Sequence, residues 1–280
     1  MQERPVAFVT GASRGIGKAI AVHLAQAGYD VALSARTLAE GDAREHSSTL
    51  HRSDTSPLPG SLASTAALVE EAGVRSMVVA ADLLNRASVI AAAGAVLDQW
   101  GPVDVLVNNG RYIGPGHMDR FEETPLELLD RQIEANVMAP VALAHVLLPR
   151  MVEQGSGTII NITSNAGFRD PLAPPGSGGW GLGYAISKGA LHRVAGVLAV
   201  ELGPKGVRAY NIQPGFIATE RMAQDMAEFG FDASAGAPAA VVGAVVAWLV
   251  TDPAAAEPNG RTIEAQDVCR ELGLLSGWPV

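Results

Sequence analysis

Cysteine is nearly absent from this chain of 280 residues: Cys269 stands alone, so no intrachain disulfide can form. Lysine is almost as scarce, with Lys18, Lys188 and Lys205 as the whole complement. The formal net charge of -9 excludes a general nucleic-acid binder and a protein drawn to anionic membranes. Six histidines are scattered without metal-ligand spacing, so no metal site is expected. No basic start leads into an apolar leader, and Val241 to Val250 is too short to cross a bilayer. The expected setting is therefore the cytoplasm, with small molecules as partners rather than nucleic acid or membrane. The hydrophobic fraction of 48% supplies a large core, and alternating βα units commonly make one domain of this size, so residues 1–280 are expected to form a single domain.

Against that sparse lysine background, the run Tyr184-Ala185-Ile186-Ser187-Lys188 sets a phenol and an ammonium four residues apart, on one helix face. A nearby cation favours the phenolate, so the pair is suited to proton transfer. A second signal is Thr10-Gly11-Ala12-Ser13-Arg14-Gly15-Ile16-Gly17, between the apolar run Val6–Val9 and an amphipathic stretch from Lys18. Strand, glycine turn and helix follow in order, and glycines let backbone N–H groups and a helix N-terminus approach a pyrophosphate. The third is Ile159-Ile160-Asn161-Ile162-Thr163-Ser164, a β-branched run that reads as a buried strand and delivers Ser164 to its C-terminal end. In open α/β sheets, ligands gather there.

Apolar strand-like runs recur near 6–10, 31–35, 76–80, 103–108, 157–163, 207–213 and 261–265, with helical patterns between most of them. This alternation predicts an α/β, Rossmann-like, doubly wound parallel sheet of about seven strands with helices on both faces. Three irregular segments interrupt it: an excursion at 37–60, and the stretches 167–183 and 220–236. Loops of such length are usually functional or mobile.

The residues Thr10 to Gly17, Asn136, Ser164, Tyr184, Lys188 and Pro214-Gly215 together resemble the short-chain dehydrogenase/reductase family, over roughly residues 5 to 265. The resemblance implies the strand order 3-2-1-4-5-6-7. It also implies hydride transfer between a nicotinamide dinucleotide and a ketone or secondary alcohol. Tyr184 is then the general acid or base, Ser164 holds the reacting oxygen, and Lys188 supports the tyrosine and binds the nicotinamide ribose. Asn136 completes the catalytic set: Pro140, four residues on, cannot donate to its carbonyl, which frees an acceptor for a relay water. A simple kink without catalytic consequence is the alternative.

The cofactor side is expected to comprise Gly11, Ser13, Arg14, Gly15, Ile16, Gly17, Arg36, Asp82, Leu83, Asn109, Gly110, Tyr184, Lys188, Pro214, Gly215, Ile217 and Thr219. An NAD-preferring fold places a carboxylate at the end of its second strand, whereas this chain ends Ser34-Ala35-Arg36. Arg36, with Arg14 as a second cation, suits the 2′-phosphate of NADP(H), with NAD(H) as the alternative. Asp82 matches the position that reads the adenine edge, unless it only caps a helix. Within the excursion, His51 or Arg52 is a candidate for reaching a phosphate, against the plainer reading of a solvated loop.

Departures from the family pattern bear on the substrate. Asn108-Asn109-Gly110-Arg111 stands where relatives have Asn-Asn-Ala-Gly, so either this loop is displaced or Arg111 offers a cation to the substrate. The stretch 167–183 should shape one wall of the pocket. Met and Phe residues in Glu220 to Phe229 could form an apolar lid or simply pack a helix. A small, apolar ketone or secondary alcohol is the expected substrate. The resemblance further implies a homodimer or homotetramer, while Glu264-Ala265-Gln266-Asp267-Val268 and the tail 266–280 replace the usual Asp-Gly-Gly ending and alter one tetramer contact. A dinucleotide sensor or scaffold on the same fold is the non-enzymatic alternative.

Overall fold

A computed structural model describes residues 4–223, 232 and 235–278. Seven parallel strands form one sheet: β1 (Val6–Thr10), β2 (Asp30–Ala35), β3 (Ser76–Ala80), β4 (Val105–Asn108), β5 (Gly157–Ile162), β6 (Val207–Gln213) and, further along the chain, β9 (Thr262–Glu264). Two short strands, β7 (Ile217–Ala218) and β8 (Ala237–Pro238), pair separately. The order β3-β2-β1-β4-β5-β6-β9 reverses direction between β1 and β4, which opens a crevice at the strands' C-terminal ends. Register runs without interruption, for instance Val6 to Thr10 against Asp30 to Ser34. The expected order and strand positions hold, with boundaries shifted by two residues or fewer.

Helices cover both faces, so the central strands are buried on both sides rather than alternating with solvent. Side chains alternate between two cores: Ala7 and Val9 join one, Val6 and Phe8 the other. The first core is closed by α1 (Gly15–Gln26), α2 (Leu62–Glu71), α7 (Ala240–Thr251) and α8 (Ala265–Leu272). α7 is buried along most of its length because it lies between α1 and α8, which explains an apolar run too uniform to be amphipathic. The second core is closed by α3 (Arg86–Trp100), α5 (Ala139–Glu153) and α6 (Leu182–Leu202).

The helical stretch that carries Asn136 and Pro140 is divided. α4 (Leu126–Ile133) passes through a single π-helical turn, Glu134–Met138, into α5, with the Ala139 N–H reaching Glu134 O. Pro140 falls at the start of α5, and the proline inside that helix is Pro149. The widened turn absorbs the lost donor without a break, a device frequent at functional sites. By length and composition the 126–153 stretch could cross a bilayer, but half of its apolar window is buried against neighbouring helices.

Candidate active site

The glycine turn is shaped by close approach. A Cβ on Gly17 would lie 2.2 Å from the Gly11 carbonyl oxygen and 2.5 Å from Asn109 Nδ2, so only glycine lets α1 start so near the end of β1. Asn109 is the pin: its Nδ2 donates to the carbonyls of Thr10 (2.9 Å) and Gly11 (3.2 Å). Thr10 Oγ1 accepts from the backbone N–H groups of Asn109 and Gly110, at 3.0 and 2.9 Å. α1 has no side-chain cap and no acidic residue in its first turn, so its N-terminal N–H groups stay available to an anion. This cradle fits the pyrophosphate of a dinucleotide.

A cavity of about 600 Å³ runs from the turn along the sheet's C-terminal edge. Ser164, Tyr184 and Lys188 line it, together with every residue expected on the cofactor side. Ser164 leaves β5 in extended conformation and caps a short 3-10 turn, its Oγ accepting from the Ala166 N–H at 3.3 Å. Gly167 then presses on α6: a Cβ there would lie 2.8 Å from the Lys188 carbonyl, so glycine brings Ser164 and the Tyr184 helix side by side. Lys188 is buried and donates from Nζ to the Ile162 carbonyl at 2.7 Å, with its ammonium 6.0 Å from the Tyr184 ring centroid. Burial, and then the Arg111 guanidinium, push Lys188 down to about 7.

Asn136 stands behind the cavity rather than on its wall. Its Oδ1 accepts from the Tyr112 N–H at 2.5 Å and its Nδ2 donates to Ser187 Oγ at 2.9 Å, so the π-turn ties the 112 loop to the helix bearing Tyr184.

At the adenosine end, Arg36 lines the cavity and its carbonyl accepts from Arg44 at 3.2 Å. Arg14 lines the cavity too, and its guanidinium donates to the carbonyls of Leu58, Pro59 and Gly60 at 3.1, 2.9 and 2.7 Å, so it fastens the excursion to the glycine turn. Asp82 accepts from the Leu84 N–H at 3.0 Å, while the helix cap that follows is Asn85. The capping alternative for Asp82 therefore fails, replaced by a local Asx turn.

The excursion is largely exposed but is not solvated throughout. His46, Ser47, Ser48 and Thr49 are buried, and Asp119 clasps them by accepting from Thr49 Oγ1 (2.6 Å), the Leu50 N–H (3.0 Å) and the Gly116 N–H (2.6 Å). Arg44, Glu45, His46 and Leu58 reach the cavity; His51 and Arg52 do not, being exposed beside Glu123 and Asp54. Burial would raise the Glu45 carboxyl, but hydrogen bonds from Ser53, Ser47 and Asp54 hold it at about 2. His51, Asp119 and Glu123 bring possible metal-ligand atoms within 4.8 Å of one another, yet Asp119 is already spent on its three donors.

Sequence reasoning missed three side chains. His117 meets the Tyr184 ring edge-on, with centroids 4.3 Å apart, and burial followed by the Arg111, Arg221 and Lys188 charges pushes it well below its ordinary value. Trp180 lines the wall supplied by the 167–183 stretch, as Met222 lines that of 220–223. Gln266, in the altered ending, donates to the Pro214 and Phe216 carbonyls at 3.1 and 3.0 Å and so braces the turn after β6. The rest of the Met- and Phe-bearing lid, 224–231, lies outside the described residues.

A family model described as short chain dehydrogenase matches residues 5–60 and 55–228. Cyclohexanol dehydrogenase from Rhodococcus sp. (strain TK6) is 30% identical over 226 residues, 80% of this chain and 78% of that protein. The NADPH-dependent aldehyde reductase-like protein, chloroplastic, of Arabidopsis thaliana is 30% identical over 277 residues, 97% of this chain and 87% of that one. Among solved structures, carveol dehydrogenase from Mycobacterium avium in complex with NAD superimposes with a TM-score of 0.75 at 21% identity, covering 93% of this chain and 95% of that one. The chain belongs to the short-chain dehydrogenase family. It is an NAD(P)-dependent oxidoreductase of alcohol and ketone groups.

Proposed function

We propose that the chain transfers hydride between NADP(H) and a small ketone or secondary alcohol, with Tyr184 as general acid in reduction and general base in oxidation. The observation that carries this is one cavity wall shared by Ser164, Tyr184 and Lys188, continuous with the glycine cradle. A bound nicotinamide supplies or accepts the hydride. Ser164 and Tyr184 hydrogen-bond the carbonyl oxygen, and Tyr184 delivers its proton as negative charge builds there. Lys188 favours the phenolate electrostatically, and Asn136 keeps α6 and the 112 loop in register. An apolar body for the substrate is supported by Ile113, Met118, Trp180 and Met222 on the wall.

NADP(H) is favoured because β2 is followed directly by Arg36, with no carboxylate there, and Arg44 lies beside it. Exposed Leu182, Ile186, Val197 and Val200 on α6 support a homo-oligomer formed through that helix. A panel of ketones and secondary alcohols assayed with both cofactors tests the reading: NADPH is expected to outperform NADH, and Arg36→Ala to remove that advantage, roughly tenfold in KM. Equal use of NADH by the intact protein would overturn the cofactor assignment.

A further inference from the structure

The loop carrying Arg111 is held, not displaced. Hydrogen bonds from Asn109 and Gly110 to Thr10 fix its backbone against β1, so the arginine side chain is what distinguishes it. Arg111 spends one hydrogen bond on the Tyr112 carbonyl, at 2.9 Å, and its guanidinium lies 5.9 Å from the Tyr184 ring centroid. Among the described residues it forms no ion pair, whereas Arg75, Arg86, Arg150 and Arg270 each face a carboxylate.

After burial, the Arg111, Arg221 and Lys188 charges push the nearby His117 imidazole down, so cations converge on this part of the wall. Arg111 is only half-buried and lines the cavity, so its guanidinium is accessible to a ligand there, and its remaining N–H donors suit an anion. The pyrophosphate of a dinucleotide belongs at the glycine turn; Arg111 stands against the reacting tyrosine.

We propose that Arg111 binds an acid group of the substrate, which is therefore an oxo acid or hydroxy acid whose carboxylate lies within a few bonds of the reacting carbon. The carboxylate takes no part in hydride transfer: hydride goes to the carbonyl carbon, the proton of Tyr184 to its oxygen, and the acid group fixes which face is presented. Arg111 is a specificity residue in this arrangement. The inference rests on the proposed reductase activity and adds a charge to its substrate.

The test uses 2-oxo and 3-oxo carboxylic acids of four to eight carbons, each paired with its methyl ester, assayed with intact protein and NADPH. The acid is expected to exceed its ester at least tenfold in kcat/KM. Arg111→Gln is expected to collapse that ratio roughly tenfold or more, chiefly through KM, and Arg111→Lys to restore part of it. Cofactor binding, read by quenching of protein fluorescence, reports whether the variants are folded. Esters reduced as well as acids, or a ratio unmoved in Arg111→Gln, would overturn the proposal while leaving the reductase reading intact. A rise in cofactor Kd as large as the fall in acid turnover would also overturn it, by assigning the anion to the dinucleotide. If neither acids nor esters are reduced, the parent reading fails and this one with it.

Discussion

The two halves of the cavity are built differently. The cofactor half is made by strand ends and tight backbone contacts: the Gly11 to Gly17 turn, the Thr10–Asn109 hydrogen bonds and the Gly167 seat on α6. The substrate half is made by loops that hold one another: the 37–60 excursion, the 112–123 segment and 167–183, joined through Asp119, the Ser48–Met118 and His117–Gly181 backbone bonds, and Arg221 on Ser48 Oγ. Backbone geometry tolerates few residues, whereas a loop clasp can be rebuilt with many. Under the proposed function, reaction chemistry resides in the first half and substrate selectivity in the second.

That division predicts different responses to perturbation. The largest concerns Lys188. In the folded chain it is held down to about 7, against an ordinary value near 10.4, so between those limits the unfolded chain binds more protons and stability rises with pH. The gain is of the order of 4 kcal/mol across the window and should vanish in Lys188→Met, as read by urea unfolding at pH 7 and pH 10. A smaller effect is expected for Gly17→Ala, whose methyl group cannot fit beside the Gly11 carbonyl. The turn must open, at ~1–3 kcal/mol and at least about a tenfold loss in cofactor affinity by titration. Asp119→Ala should be milder and confined to the loops. Leaving Thr49, Leu50 and Gly116 without their acceptor costs roughly 1–3 kcal/mol locally. It should appear as protease cleavage within 45–55 and a raised substrate KM, with kcat little changed.

How much was legible follows the same line. Strand positions, the sheet class and the convergence of Ser164, Tyr184 and Lys188 on one crevice could be read, because a parallel sheet buried on both faces imposes continuous apolar runs and a glycine turn has few sequence solutions. The π-turn at Glu134–Met138 could not, since Pro140 reveals a lost donor but not how the helix absorbs it. The hold of Arg14 on the excursion was not legible either, since only the fold of 58–60 brings three carbonyls to it. His117, Trp180 and the burial of His46 to Thr49 depend on contacts between loops distant in sequence, for which no periodicity exists. Gln266 left a signal, a side chain in place of the family's terminal glycines, and the brace on Pro214 and Phe216 explains it.

The proton-transfer role of Tyr184 is tested most directly by Tyr184→Phe, with turnover of a ketone and binding of NADPH measured on the same sample. The variant is predicted to bind the cofactor as the parent protein does while losing roughly a thousandfold in kcat. Turnover within a few fold of the parent, with binding intact, would contradict the assignment.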